Sequence, residues 1–186
     1  MLKKLLLMLF LVVWSMHANA REYIYQGKVQ GMVCAFCVYG VSKSIGQLPE
    51  VYAQTVNVDL KSGLVSFHSS SKVSFEKVAS VFSGSGFKLV ELKEVNKPTL
   101  KMAAYEKKPV LIFNLANIDI NKYGAILEAI GDIASSQSGK LVITAPESLE
   151  TELLKPMIGG KQKIARVQYS FNKSNAIQIK LFLRSD

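Results

Sequence analysis

The chain's hydropathy pattern predicts an α+β fold, built as two small units in series, and three observations carry that prediction. Apolar residues alternate with polar ones over short runs, as half-buried strands require, and between these runs they recur at helical spacing. The elements fall into two sets, divided by a stretch that holds Pro98, Pro109 and several lysines. The length of 186 residues suits one medium domain or two small ones once a leader is set aside.

The leader is residues 1–20. Lys3 and Lys4 start it, Leu5 to Trp14 is an unbroken apolar run, and Ala18-Asn19-Ala20 supplies a small-residue cleavage pattern. A spanning helix needs roughly 20 apolar residues, so this run reads as an export signal, with a retained anchor as the plainer alternative. No cysteine follows the cleavage site, so no lipid anchor is expected there. The mature chain is expected to begin near Arg21, in the periplasm or secreted, with no stable membrane insertion. Removing the leader takes two lysines and no acid, so the net charge of +9 falls to +7. It also removes Trp14, the sole tryptophan, and His17, one of two histidines. A basic balance favours docking to acidic proteins or anionic lipid heads. Export excludes nucleic acid as a partner, and the spread of the lysines reads as a solvated surface.

Residues 21–95 form the first unit. Tyr23 to Val29 opens as a strand. Cys37, Val41, Ile45 and Leu48 recur at helical spacing, and Pro49 marks the exit. Val56, Val58 and Leu60 alternate with Asn57 and Asp59; Lys61-Ser62-Gly63 turns the chain, and Val65 and Phe67 continue on a partner strand. Ser74 caps a second helix with Phe75, Val78, Ala79 and Phe82 as its apolar face. Gly84-Ser85-Gly86 ends it, and Phe87 to Val95 supplies a fourth strand. The order β-α-β-β-α-β is the split βαβ arrangement of a ferredoxin-like sandwich.

Residues 96–108 read as a linker in which Lys97, Lys101, Lys107 and Lys108 are solvated; steering toward an acidic surface is the sharper alternative. Residues 109–186 make a second small α/β or α+β domain. Val110 to Leu115 is a strand, and Asp119 or Asn121 caps a helix burying Tyr123, Ile126, Leu127, Ile130 and Ile133. Leu141 to Thr144 is a strand, Pro146 opens a helix through Leu154, and Ile164–Phe171 and Ala176–Leu183 form a hairpin about Asn172-Lys173-Ser174-Asn175. This unit has no cysteine, histidine or glycine-rich phosphate motif, so its pattern gives a class and no chemistry.

Chemistry is concentrated in Gly31-Met32-Val33-Cys34-Ala35-Phe36-Cys37, which holds the chain's only cysteines. A disulfide here would close a tiny loop and constrain the unfolded chain little, which argues against a staple. Cys37 falls in the first helical turn, where exposed N–H groups favour a thiolate, and Cys34 sits on the preceding loop, free to swing. Two sulfurs without other ligands suit Cu(I), Ag(I) or Hg(II), whereas a structural zinc takes four protein ligands.

This motif, with the element order around it, resembles the heavy-metal-associated domain, a family that includes copper chaperones, modules of copper-transporting P-type ATPases and the periplasmic mercury-binding protein. The resemblance covers about Tyr23 to Leu92 and includes Gly86-Phe87, where the family places glycine and an aromatic residue beside the metal. It implies that Cys34 and Cys37 hold one soft ion, Cu(I) first and Hg(II) next. Met32 would pack beneath the loop, and Phe87 would shield the site on its core side. It further implies transfer by ligand exchange to a metal-transporting membrane protein or another carrier, with no bond-changing catalysis and hence no enzyme. Val33, where threonine or histidine is usual, and the bulky Phe36 depart from the family pattern and bear on partner choice.

A thiol–disulfide redox protein using the same CxxC is the rival reading, and an interaction module led by the second domain is another. Met32 reads as core filler rather than a copper ligand. His68 follows Phe67 on an alternating strand and should face solvent. Phe36 and Tyr39 flank Cys37 either as an exposed docking patch or as ordinary helix packing.

Overall fold

Alternation along Tyr23–Gln30 makes β1 an inner strand of an antiparallel sheet with order β2-β3-β1-β4, where β2 is Asn57–Asp59, β3 Leu64–Ser69 and β4 Lys88–Glu94. The computed structural model describes residues 21–101, 103–116, 119–161 and 166–185; the segment 1–20, read from the sequence as an export signal, lies outside them. Helix α1, Ala35–Gly46, and the short α2, Phe75–Ser80, complete the β-α-β-β-α-β order read from the sequence. Tyr25, Val41, Ile45, Val65, Phe67, Val78 and Phe82 form its core, with Phe67 stacked on Tyr25 at 5.4 Å between ring centroids. Ser74 caps α2 by accepting from the Lys77 N–H. Phe75, expected on the buried face, is exposed instead. It is the first residue after that cap in a helix of six, and the inward positions fall to Val78 and to Phe82 beyond the helix end.

The second unit is a mixed sheet of order β5-β8-β6-β7, with β5 Leu111–Leu115, β6 Lys140–Ala145, β7 Arg166–Phe171 and β8 Ile177–Phe182. Helices α3, Ile120–Ser136, and α4, Glu150–Ile158, pack against each other and supply Leu127, Ile130, Leu153, Leu154 and Met157 to a core shared with Leu141, Ile143, Ile177 and Ile179. Gly131 permits this helix pair: a Cβ there would overlap the backbone of Met157.

Two expectations for this half are corrected. The segments 166–171 and 177–182 are strands but not a hairpin: β6 lies between them, parallel to β7 and antiparallel to β8. The Asn172–Asn175 turn carries the chain over the end of β6, with the Asn172 N–H donating to the Ala145 carbonyl at 3.1 Å. Ile126 and Ile133 of α3 are exposed; a helix lying on a sheet by one face buries Leu127, Ile130 and Ala134 and turns its remaining apolar residues outward.

The linker is less free than its composition suggests. The Thr99 N–H donates to Gln26, Asn57 donates to the Lys101 carbonyl, and Tyr105 bridges to Arg184, so residues 96–108 are pinned to both units. Its lysines are exposed, as expected. No helix among the described residues is long and apolar enough to cross a membrane.

Candidate metal centre

Where β1 ends, Gly31 takes φ +93°, and a Cβ there would stand closer than 3.0 Å to the Gly86 carbonyl oxygen. This contact seats the cysteine loop directly on the loop that carries Gly86 and Phe87. Met32 is half-buried against the first core, as expected of a filler, and Phe87 packs edge-on to Phe82 at 6.4 Å. Val33 is 74% exposed and Phe36 38%, so both cysteines are flanked by exposed apolar side chains.

Cys34 is the N-cap of α1 rather than a freely swinging loop residue, and its sulfur accepts from the Cys37 N–H at 3.3 Å. The two sulfurs lie 2.6 Å apart, share a hydrogen bond, and are partly exposed. Burial pushes both thiols up. At Cys37 the hydrogen bond from Cys34 and those from the backbone at Val33, Cys34 and Cys37 outweigh burial, and the net direction is down. At Cys34 burial is joined by the hydrogen bond with Cys37, and the net direction is up. Of the two, Cys37 is the thiol biased toward the thiolate, and its place in the first helical turn favours that form.

No third ligand stands nearby: the described residues contain no group of three or more His, Cys, Asp or Glu side chains able to hold a metal. His68 lies on β3, partly exposed, with Nδ1 hydrogen-bonded to Glu22 at 2.9 Å, and faces outward as its strand position predicts.

The other side of α1 faces the second unit. Tyr39, expected either in an exposed patch or in ordinary helix packing, donates its hydroxyl to Glu150 at the start of α4. Lys43 pairs with the same carboxylate at 2.5 Å. The Ala35 N–H, between the two cysteines, donates to the Lys161 carbonyl at 2.9 Å. A second stripe at 35, 39 and 43, offset from Val41 and Ile45, was the available signal; its residue types mark a surface as readily as an interface.

Residues 28–88 match the Heavy-metal-associated domain. No curated protein matches the chain. Among solved structures it is similar to a CsoZ metallochaperone, at 15% identity over 38% of this chain and 100% of that one, with a TM-score of 0.34. Oxidised MerP from Ralstonia metallidurans CH34 is similar at 20% identity over the same shares, with a TM-score of 0.33. A CopZ metallochaperone is similar at 25% identity, again over 38% and 100%, with a TM-score of 0.32. The first unit of this chain, over residues 28–88, is a heavy-metal-associated domain, and a second sheet-containing domain follows it.

Proposed function

We propose that the protein binds one soft metal ion between Cys34 and Cys37 and hands it to a partner outside the inner membrane. The observation that carries this reading is a pair of cysteine sulfurs 2.6 Å apart at a helix N-terminus, with no further ligand cluster among the described residues. Two thiolates alone satisfy ions that accept low coordination numbers, and Cu(I) leads over Hg(II) as the commoner cargo. Metal–sulfur bonds near 2.3 Å place the sulfurs of a linear site about 4.6 Å apart, so loading spreads the pair and displaces Cys34 from its cap. Release follows when an incoming thiolate adds to the ion, giving a three-coordinate intermediate, one cysteine here departs, and a second incoming thiolate displaces the other. Charge and ion are passed on without any bond-changing catalysis. The segment 1–20 delivers the chain to an oxidising compartment, where a carrier or transporter receives the ion.

An anaerobic Cu(I) competition titration against a colorimetric chelator tests this, using the reduced chain from Arg21 onward beside Cys34→Ser/Cys37→Ser. One equivalent captured by the wild type alone supports the carrier; no capture by either overturns it. The unequal thiols favour one rival, a redox dithiol. Its mark would be an oxidising reduction potential with rapid exchange against a dithiol, together with weak Cu(I) capture.

A further inference from the structure

Helix α1 has two buried stripes, and only one belongs to its own unit. Val41 and Ile45 enter the first core, whereas Ala35, 2% exposed, is packed in the second core with Tyr39 against it. Residues 35, 39 and 43 follow at four-residue spacing and so share one face. Each is held by the C-terminal unit: Ala35 by the Lys161 carbonyl, and Tyr39 and Lys43 by the two carboxylate oxygens of Glu150. Lys43 Nζ also lies 5.6 Å from the centre of the Phe171 ring. Glu150 is 13% exposed, and Lys161 is itself anchored through its ammonium to Asp132 of α3.

We propose that the C-terminal unit is a built-in clamp on the metal-binding helix, with Glu150 as the positioning residue, and that it governs how fast an ion is exchanged at Cys34 and Cys37. This rests on the carrier reading above. Exchange requires Cys34 to leave the helix cap, and its neighbour Ala35 is tied to Lys161. The loop therefore moves only by breaking that bond or by carrying the second unit with it. The clamp also covers the α1 flank. An incoming thiolate must approach over the rim made by Val33 and Phe36, which favours a partner whose own thiolates sit in an apolar surround.

The test uses the mature chain and two variants, Glu150→Ala and the near-isosteric Glu150→Gln. Glutamine keeps an acceptor for Tyr39 and loses the charge opposite Lys43. Amide hydrogen exchange at Ala35 and release of Cu(I) to excess chelator are followed in each. Both are expected to quicken about tenfold in Glu150→Ala, the scale of losing a part-buried charge-assisted pair, and by less in Glu150→Gln. Binding stoichiometry stays at one. A merely structural role would lower the melting temperature and leave Ala35 exchange and ion release at wild-type rates, and that result overturns the clamp. If the wild type binds no Cu(I), the carrier reading falls, and Ala35 exchange alone still decides whether Glu150 holds the helix.

Discussion

Replacing Gly31 by alanine tests whether the cysteine loop is seated by backbone contact rather than by its side chains. Gly31 has φ +93°, a region L-residues adopt at a cost of about 1–3 kcal/mol. The new methyl would also meet the Gly86 carbonyl oxygen inside 3.0 Å, and backbone on both sides leaves no flexible group to yield. Overpacking of that kind costs about 1–3 kcal/mol. Reduced freedom of the unfolded chain returns about 0.4–1 kcal/mol. The net expectation is a loss of about 3 kcal/mol.

Gly84 supplies the control, because it has φ +84° with nothing within 4 Å of the Cβ position. Gly84→Ala keeps the conformational cost without the clash and should lose about 1 kcal/mol. The difference of about 2 kcal/mol is the contribution of the close approach itself. Urea unfolding of the reduced chain, followed by far-UV circular dichroism, reads it as a shift in midpoint at constant slope. Hydrogen exchange at the Val65 and Phe67 amides assigns the loss to the first unit. Equal losses in the two variants would refute the reasoning, since the loop would then owe nothing to its contact with Gly86.

Phe67→Ala should lose about 3–5 kcal/mol, read by the same unfolding series, because a fully buried ring stacked on Tyr25 leaves a cavity in the smaller core. Gly131→Ala should part α3 from α4, destabilising the second unit by about 2 kcal/mol and quickening Ala35 exchange; stability and exchange both unchanged would contradict the α3–α4 packing. Iodoacetamide should modify Cys37 before Cys34 near neutral pH, since Cys37 holds the larger thiolate fraction; peptide mapping that finds the reverse order removes the charge assignment. Asp59 is held below the usual carboxylate range by hydrogen bonds from the Ser62 side chain and backbone. Its stabilisation is therefore full above the unfolded pKa and is lost as pH falls through the depressed folded value, so Asp59→Asn should flatten the acid limb of a stability–pH curve.

Legibility in the sequence followed the strength of the periodic signal. Val56 to Phe67, with its Lys61-Ser62-Gly63 turn, is a short antiparallel pair whose alternation admits one register, and β2 and β3 form there. The cysteine motif was readable because a glycine, a methionine and two cysteines at fixed spacing have few other uses. The β7–β8 connection misled for a physical reason: a four-residue turn between alternating runs reads as a hairpin whether the strands pair directly or straddle a third. Alternation reports which face is buried and says nothing of which neighbour supplies the hydrogen bonds. Phe75, Ile126 and Ile133 misled in another way, since an apolar residue at helical spacing marks a possible face, and packing geometry decides which face is used. The clamp was least legible because Tyr39, Lys43 and Glu150 are ordinary surface residues until two distant segments bring them together.

The first turn of α1 ties these parts into one device. A helix start leaves four N–H groups without partners inside the helix. In this protein the Ala35 N–H goes to Lys161 of the second unit, and the Cys37 N–H goes to the sulfur of Cys34. The Phe36 backbone also hydrogen-bonds that sulfur, which favours its thiolate against the larger effect of burial. The C-terminal unit and the cysteines thus divide the donors of a single helix end. What holds one share in place constrains the other, because all these groups sit on the same turn. Coupling of this kind is reciprocal at equilibrium. If the clamp tightens ion binding by some factor, the ion must tighten the clamp by the same factor. Metal loading should therefore change the protection of the Ala35 amide by the same factor, and in the same direction, as the ratio of the wild-type to Glu150→Ala ion affinities. Equal Ala35 protection in the apo and loaded protein, beside unequal affinities of the two variants, would break that cycle and with it the idea that the two halves act on one helix end.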